Sequence, residues 1–195
     1  MLLKPVMSLS RRVAATLATA AAAALLWGCG GDLASGRPAG PPLPPYTARD
    51  AQLFDDGVEA KALGFEISDS TAKDDRLLAD RVEASDGVVR ARVVTVTSKA
   101  EDSGVGLLLS LHAVETLTGR RAPAGDFTLL APSKAPATGM LTASEGRLVG
   151  MTFVVFVRGF ASEGEEPDGS LHFHLAPDGK DEQDKVRAAS LGPLR

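Results

Sequence analysis

His172 and His174, one residue apart in Ser170-Leu171-His172-Phe173-His174-Leu175, are the residues of this chain best spaced for chemistry. On a β-strand, residues two apart project from one face about 6 to 7 Å from each other, a separation at which two imidazoles can chelate one metal ion. His112, in a second alternating segment, completes the three histidines of the chain. If the two strands were neighbours, His112, His172 and His174 could leave an open fourth position, as catalytic zinc sites do. No Asp or Glu stands at a recognised ligand spacing from them, so the leading expectation is polar, unliganded strand residues. Zinc or copper binding is the alternative.

Other catalytic signatures are absent from the sequence: there is no G-x-S-x-G, no H-E-x-x-H, no phosphate loop and no dinucleotide fingerprint. His112 and Glu115 are three apart, which on a strand turns them to opposite faces. A hydrolase built on Ser, His and Asp is a third expectation, with members too distant in sequence for any set to be picked out. The acidic run Glu163 to Asp168 lacks the ligand spacing of a calcium loop and is expected to be solvated. Cys29 is the only cysteine, which rules out an internal disulfide framework and a thiolate zinc cluster.

These side chains must be positioned by a mainly β body. Val88 to Thr97 is rich in β-branched residues. Val89, Ala91 and Val93 share one face while Val94 and Val96 fall on the other, and such a change of face predicts a bulge or bend. Leu107, Leu109, Leu111 and Ala113 alternate with Ser110 and His112; Asp126 to Ala131 forms a short third strand. Met151 to Arg158 is apolar on both faces, as a central strand requires. Ser170 to Leu175 alternates again, with Leu171, Phe173 and Leu175 inward and both histidines outward.

Upstream, Thr47 and Asp50 make a capping-box-like pair, and Phe54, Val58 and Ala62 follow at helical spacing, with Gly64 as the stop. Thr71 and Asp74 repeat the arrangement before a stripe of Leu77, Leu78 and Val82, with Arg76, Asp80, Arg81 and Glu83 mostly around it. Asp181 to Ser190 reads as a closing helix within 178–191, acids first and Lys185 and Arg187 later, as the helix dipole favours. The expected fold is a small antiparallel five-stranded barrel or bent sheet, with two short N-terminal helices and a short C-terminal helix. The strand region, about residues 86 to 176, resembles OB-fold or netrin-like domains in its order. It has a Val-rich opening strand, a second strand running into Glu115-Thr116-Leu117-Thr118-Gly119, and a later Phe-Val-Val-Phe strand. The disulfides of netrin-like inhibitors are missing.

The chain has 195 residues, 44% of them hydrophobic and 5% aromatic, enough for one globular domain with appended sequence. Its net charge is −4, but Lys4, Arg11 and Arg12 lie in the acid-free first 28 residues. The remainder carries 18 basic against 25 acidic residues, a balance that argues against nucleic-acid binding.

Met1 to Arg12 is a charged start, and Val13 to Gly28 an uncharged apolar run shorter than the roughly 20 residues of a transmembrane helix. That run ends in Leu26-Trp27-Gly28-Cys29, which resembles the lipobox of bacterial lipoproteins, although Trp27 is bulkier than the usual residue there. Ser10-Arg11-Arg12 resembles a twin-arginine signal only in part, since Ala14 and Ala15 replace its bulky residues. The lipobox resemblance implies cleavage before Cys29, a signal peptide over 1–28 and a diacylated N-terminus. Gly30, where an Asp would favour inner-membrane retention in enterobacteria, implies the outer membrane. Residues 29–46 carry the lipidated cysteine and a Gly/Pro-rich linker, and 47–195 form the globular domain: helical over 47–84, β-rich over 86–176 and helical again over 178–191. The expected function is a lipid-anchored cell-envelope protein, a non-enzymatic binding or structural module whose partner is an envelope protein or glycan. The alternative is a periplasmic metal-binding or metal-dependent protein using the His-x-His pair.

Overall fold

The computed structural model describes residues 42–65, 71–136, 138–161 and 169–192. The signal segment 1–28, Cys29, most of the linker and the acidic run from Glu163 to Asp168 lie outside the described residues.

Along the described chain the elements are α1 (Asp50–Leu53), β1 (Gly57–Val58), a 3-10 turn (Ala60–Leu63), α2 (Thr71–Ala84), β2 (Gly87–Glu101) and β3 (Gly104–Thr118). They continue with β4 (Asp126–Ala131), α3 (Thr138–Leu148), β5 (Thr152–Phe160), β6 (Ser170–Pro177) and α4 (Lys180–Ser190). The strands form one six-stranded sheet in the order β1-β6-β5-β2-β3-β4. Among the described residues only β1 runs parallel to its neighbour; every other pairing is antiparallel.

The fold is mainly β with flanking helices, as expected, but the expected five-stranded antiparallel barrel or bent sheet is corrected to an open, mixed sheet of six strands. The physical reason lies at the edges. β1 takes the outer side of β6, pairing Gly57 with His174 and Val58 with Leu175, and among the described residues no hydrogen-bonded ladder joins β4 to β6. β5 is interior and buried on both faces from Phe153 to Val157, as its doubly apolar sequence requires.

The change of face read in β2 is a real bulge. Val89, Ala91 and Val93 enter the inner cluster, the register slips between Val93 and Thr95, and Val96 then packs against that same cluster while Val94 is left exposed. The inner face, with Leu107, Leu109, Leu111, Phe153, Phe173 and Leu175, is closed by α3 and the 3-10 turn through Leu141, Leu148 and Leu63. On the outer face, Val88, Val154, Phe156 and Phe160 meet Leu53 and Phe54 of the α1 segment, Leu78 and Val82 of α2, and Val186 of α4. Arg90 fixes the approach to α4 by donating through Nε and one terminal nitrogen to both Asp178 oxygens, at 2.7 and 2.8 Å.

Three further expectations change. The helix expected from Thr47 to Gly64 is a single turn. Its Thr47–Asp50 capping pair forms reciprocally, but Asp56 adopts a left-handed φ of 50° and the chain turns into β1. Arg81, expected among the solvated residues of α2, is buried. Leu171, expected inward, is 40% exposed at the end of β6.

The body also begins before Thr47. The Ala161 N–H donates to the Pro44 carbonyl at 2.8 Å, and the Tyr46 hydroxyl donates to the Phe54 carbonyl at 2.6 Å. Leu43 lies against Gly169, just before β6, a position only glycine can tolerate. A methyl group at Gly169, whose φ is +71°, would fall 2.4 Å from both Leu43 Cδ1 and the Phe160 carbonyl oxygen.

Candidate functional site at the β1–β6 edge

β6 alternation puts Ser170, His172 and His174 on the outer face, opposite Phe173 and Leu175. That face is not open to water as expected, because α1, β1 and the start of the 3-10 turn fold over it and bring a second set of side chains. His172 Nδ1 lies 2.8 Å from Asp56 Oδ2, and its Nε2 lies 3.1 Å from Ser170 Oγ. His174 lies between two carboxylates, with Nδ1 2.9 Å from Asp55 Oδ1 and Nε2 3.2 Å from Glu59 Oε1. Both of its ring nitrogens can donate at once only in the doubly protonated ring.

The acids are themselves held. Asp56 Oδ1 accepts the Phe173 N–H at 3.1 Å, so one side chain bonds β6 through both its backbone and His172. Arg81 reaches in from α2: its Nε donates to the Leu53 carbonyl at 2.8 Å and its NH1 is 3.8 Å from Glu59. The guanidinium also lies 5.5 Å from the centre of the Phe156 ring, which covers it from below. Tyr46 stacks on the His172 ring at 4.1 Å and an interplanar angle of 13°, and Phe160 meets the same ring edge-on.

Neighbouring acids in this cluster are driven in opposite directions. Burial pushes the Asp56 carboxyl above the usual carboxylate range and outweighs the hydrogen bond from His172. Burial also pushes Asp55 up, but the hydrogen bond and charge of His174, joined by Arg81, hold it below that range. Tyr46 is pushed up to about 12 by burial and by the nearby Asp56, Asp55 and Asp50, which keeps it a neutral donor.

The signs for stability follow. Asp55, with its folded value depressed, contributes stability that is present above its ordinary value of 3.8 and is lost as pH falls through the folded value. Asp56 contributes oppositely, below 3.8, and its contribution is lost as pH rises through its raised folded value. Thermal melts between about pH 2 and 7 should show Asp55→Asn less stable than the native protein near neutrality. The gap should close towards the acid end. A gap that stays constant with pH would mean that the Asp55 charge is not what the cluster holds.

The three histidines that the alternative, metal-binding reading would bring together do not converge. β5 and β2 stand between β6 and β3, so three strand spacings, about 14 Å measured along the sheet, separate His112 from the histidine pair. It is also displaced along the sheet, since its partner Arg92 pairs with Thr152, beyond the Phe153–Pro177 register. His112 is exposed and bonds Asp126 at 2.6 Å. Among the described residues no three His, Cys, Asp or Glu side chains form a set able to hold a metal ion. Cys29, the expected lipidation site, lies outside the described residues.

A separate groove of about 440 Å³ opens between α2, α4 and the end of β3, lined by Val82, Glu83, Thr118, Gly119, Ala189 and Ser190. Sequence reasoning missed Asp55, Asp56, Glu59 and Arg81 as partners of the histidines. The one local signal was Asp55-Asp56-Gly57, a poor interior for a helix. No protein-family model matches the chain, and no curated protein is significantly similar to it.

Proposed function

We propose that this is a lipid-anchored protein of the bacterial cell envelope, outer membrane in location, whose β-rich body binds another envelope component, a protein or a glycan. The observation that carries this reading is the place of the single cysteine: Cys29 closes the only long uncharged apolar run and is followed by Gly30-Gly31 and a Pro-rich linker. Among the described residues no helix is long and apolar enough to cross a membrane. Two acyl chains on Cys29 supply attachment instead, at about 0.8 kcal/mol per buried methylene.

What supports a binding role is the order of β2 to β6, with α3 inserted between β4 and β5, which resembles the OB arrangement without its closure between β4 and β6. The linker from Gly30 to Pro42 reaches at most about 45 Å fully extended, so the body works close to the membrane surface.

Cys29→Ala tests the anchor. The native protein should partition into the detergent phase and give an N-terminal peptide beginning with acylated Cys29, whereas the variant should lose both the acyl mass and maturation. A native N-terminus cleaved at Cys29 but carrying no lipid would overturn the proposal.

A further inference from the structure

We propose that Ser170, His172 and Asp56 form a nucleophilic relay that hydrolyses small carboxylic esters at the start of β6. The three side chains stand in the order such chemistry needs: hydroxyl to imidazole at 3.1 Å through Nε2, imidazole to carboxylate at 2.8 Å through Nδ1. Accessibility is graded in the same order. Ser170 is half-buried at the strand end, the His172 side chain is 19% exposed and the Asp56 side chain 9%.

A structural hydrogen-bond pair needs less than the cluster supplies. Asp56 holds a left-handed backbone at a non-glycine position and is fixed by the Phe173 N–H, so its second oxygen has one orientation towards His172. Tyr46 and Phe160 clamp the imidazole plane, which keeps Nε2 turned to Ser170. Positive charge is also in place. Arg158 lies directly across from His172 on β5, on the same face, and its guanidinium leans over Phe160, the residue opposite Ser170. Its 3.2 Å contact with Asp50 uses one of five donors, leaving others for a developing oxyanion.

The steps balance with water as the only co-reactant. Ser170 Oγ attacks the ester carbonyl carbon and its proton passes to His172 Nε2. The bond to the alcohol oxygen then breaks, the alcohol leaves with that proton, and an acyl-Ser170 remains. Water attacks the acyl carbon, giving its proton to His172 Nε2, and the carboxylic acid departs as the proton returns to Ser170 Oγ. Asp56 and Tyr46 act as positioning residues. Leu43, Tyr46 and Phe160 crowd the start of β6, which favours small acyl groups.

The test uses the full chain in detergent, treated with a fluorophosphonate. Ser170 Oγ should displace fluoride from phosphorus, with its proton passing to His172, and peptide mapping should find the adduct on Ser170 alone. p-Nitrophenyl acetate hydrolysis should fall by about 100-fold in Ser170→Ala and in His172→Gln. Ser170→Ala removes one hydroxyl and should keep the native circular dichroism. The absence of an adduct on Ser170 in the native chain, or hydrolysis by Ser170→Ala at the native rate, would overturn the proposal. Both readouts are independent of lipidation at Cys29, so they separate this activity from the envelope anchor.

Discussion

Phe153→Ala is expected to destabilise the body by about 3 to 5 kcal/mol and to lower its Tm by roughly 6 to 20 °C. Phe153 is fully buried on interior strand β5, and its neighbours in register are Ala91 on β2 and Pro177 on β6. Small flanking side chains cannot spread into the space that a lost ring would leave, and a rigid interior strand cannot follow it inward. The cost is therefore transfer free energy plus a persistent cavity. Stability of a domain this size is about 5 to 15 kcal/mol in total, so a substantial unfolded fraction should be detectable well below the native Tm. Val94→Ala is the control, because Val94 is the bulged, exposed residue of β2 and should shift stability by no more than about 0.5 kcal/mol. Thermal melts of the two variants decide the point. Equal melting temperatures would mean that the inner face of the sheet has been assigned to the wrong residues.

That inner face was legible because alternation is a local property. Val89, Ala91 and Val93, then Leu107, Leu109 and Leu111, each declare a face within a few residues, and the slip before Val96 is visible in the same window. β1 was not legible: two residues carry no period, and Phe54, Val58 and Ala62 do stand at helical spacing. What breaks that helix is tertiary, the capture of Asp55 and Asp56 by histidines 119 and 116 residues downstream. α3 escaped notice for the opposite reason. Its buried apolar positions Leu141 and Leu148 are seven apart, Ser144 fills the turn between them, and Gly139 and Gly146 weaken any propensity signal.

The histidines show where alternation stops being informative. It placed His172 and His174 opposite Phe173 and Leu175, which is where they are. Whether that side meets water or protein depends on how α1 and α2 return over the sheet, and no pattern within Ser170 to Leu175 records it. A hydroxyl beside an imidazole is a common strand neighbour. Its meaning changes only when Asp56, from a turn 116 residues away, fixes the other nitrogen.

Arg81→Ala should be as damaging as Phe153→Ala, by a different route. Arg81 is 2% exposed, donates to the Leu53 carbonyl, covers the Phe156 ring and faces Glu59. Alanine removes the cation from beside the partly buried Glu59 and Asp55, and breaking a buried pair on one side typically costs about 3 to 5 kcal/mol because the remaining charge stays desolvated. The Leu53 carbonyl also loses the hydrogen bond that ends the α1 turn. Arg81→Lys should recover only part of this loss, since an ammonium keeps the charge but cannot present Nε to Leu53 while lying flat on Phe156. The sharper comparison pairs Arg81→Met with Glu59→Gln. If uncompensated charge dominates, the double variant should be more stable than Arg81→Met alone, because the amide oxygen introduced by Glu59→Gln would still accept from His174 without leaving a bare carboxylate. Urea unfolding of the two single variants and the double variant measures the coupling directly. Simple additivity would show that Arg81 contributes through packing on Phe156 and its bond to Leu53, and that its charge does not hold the acid cluster together.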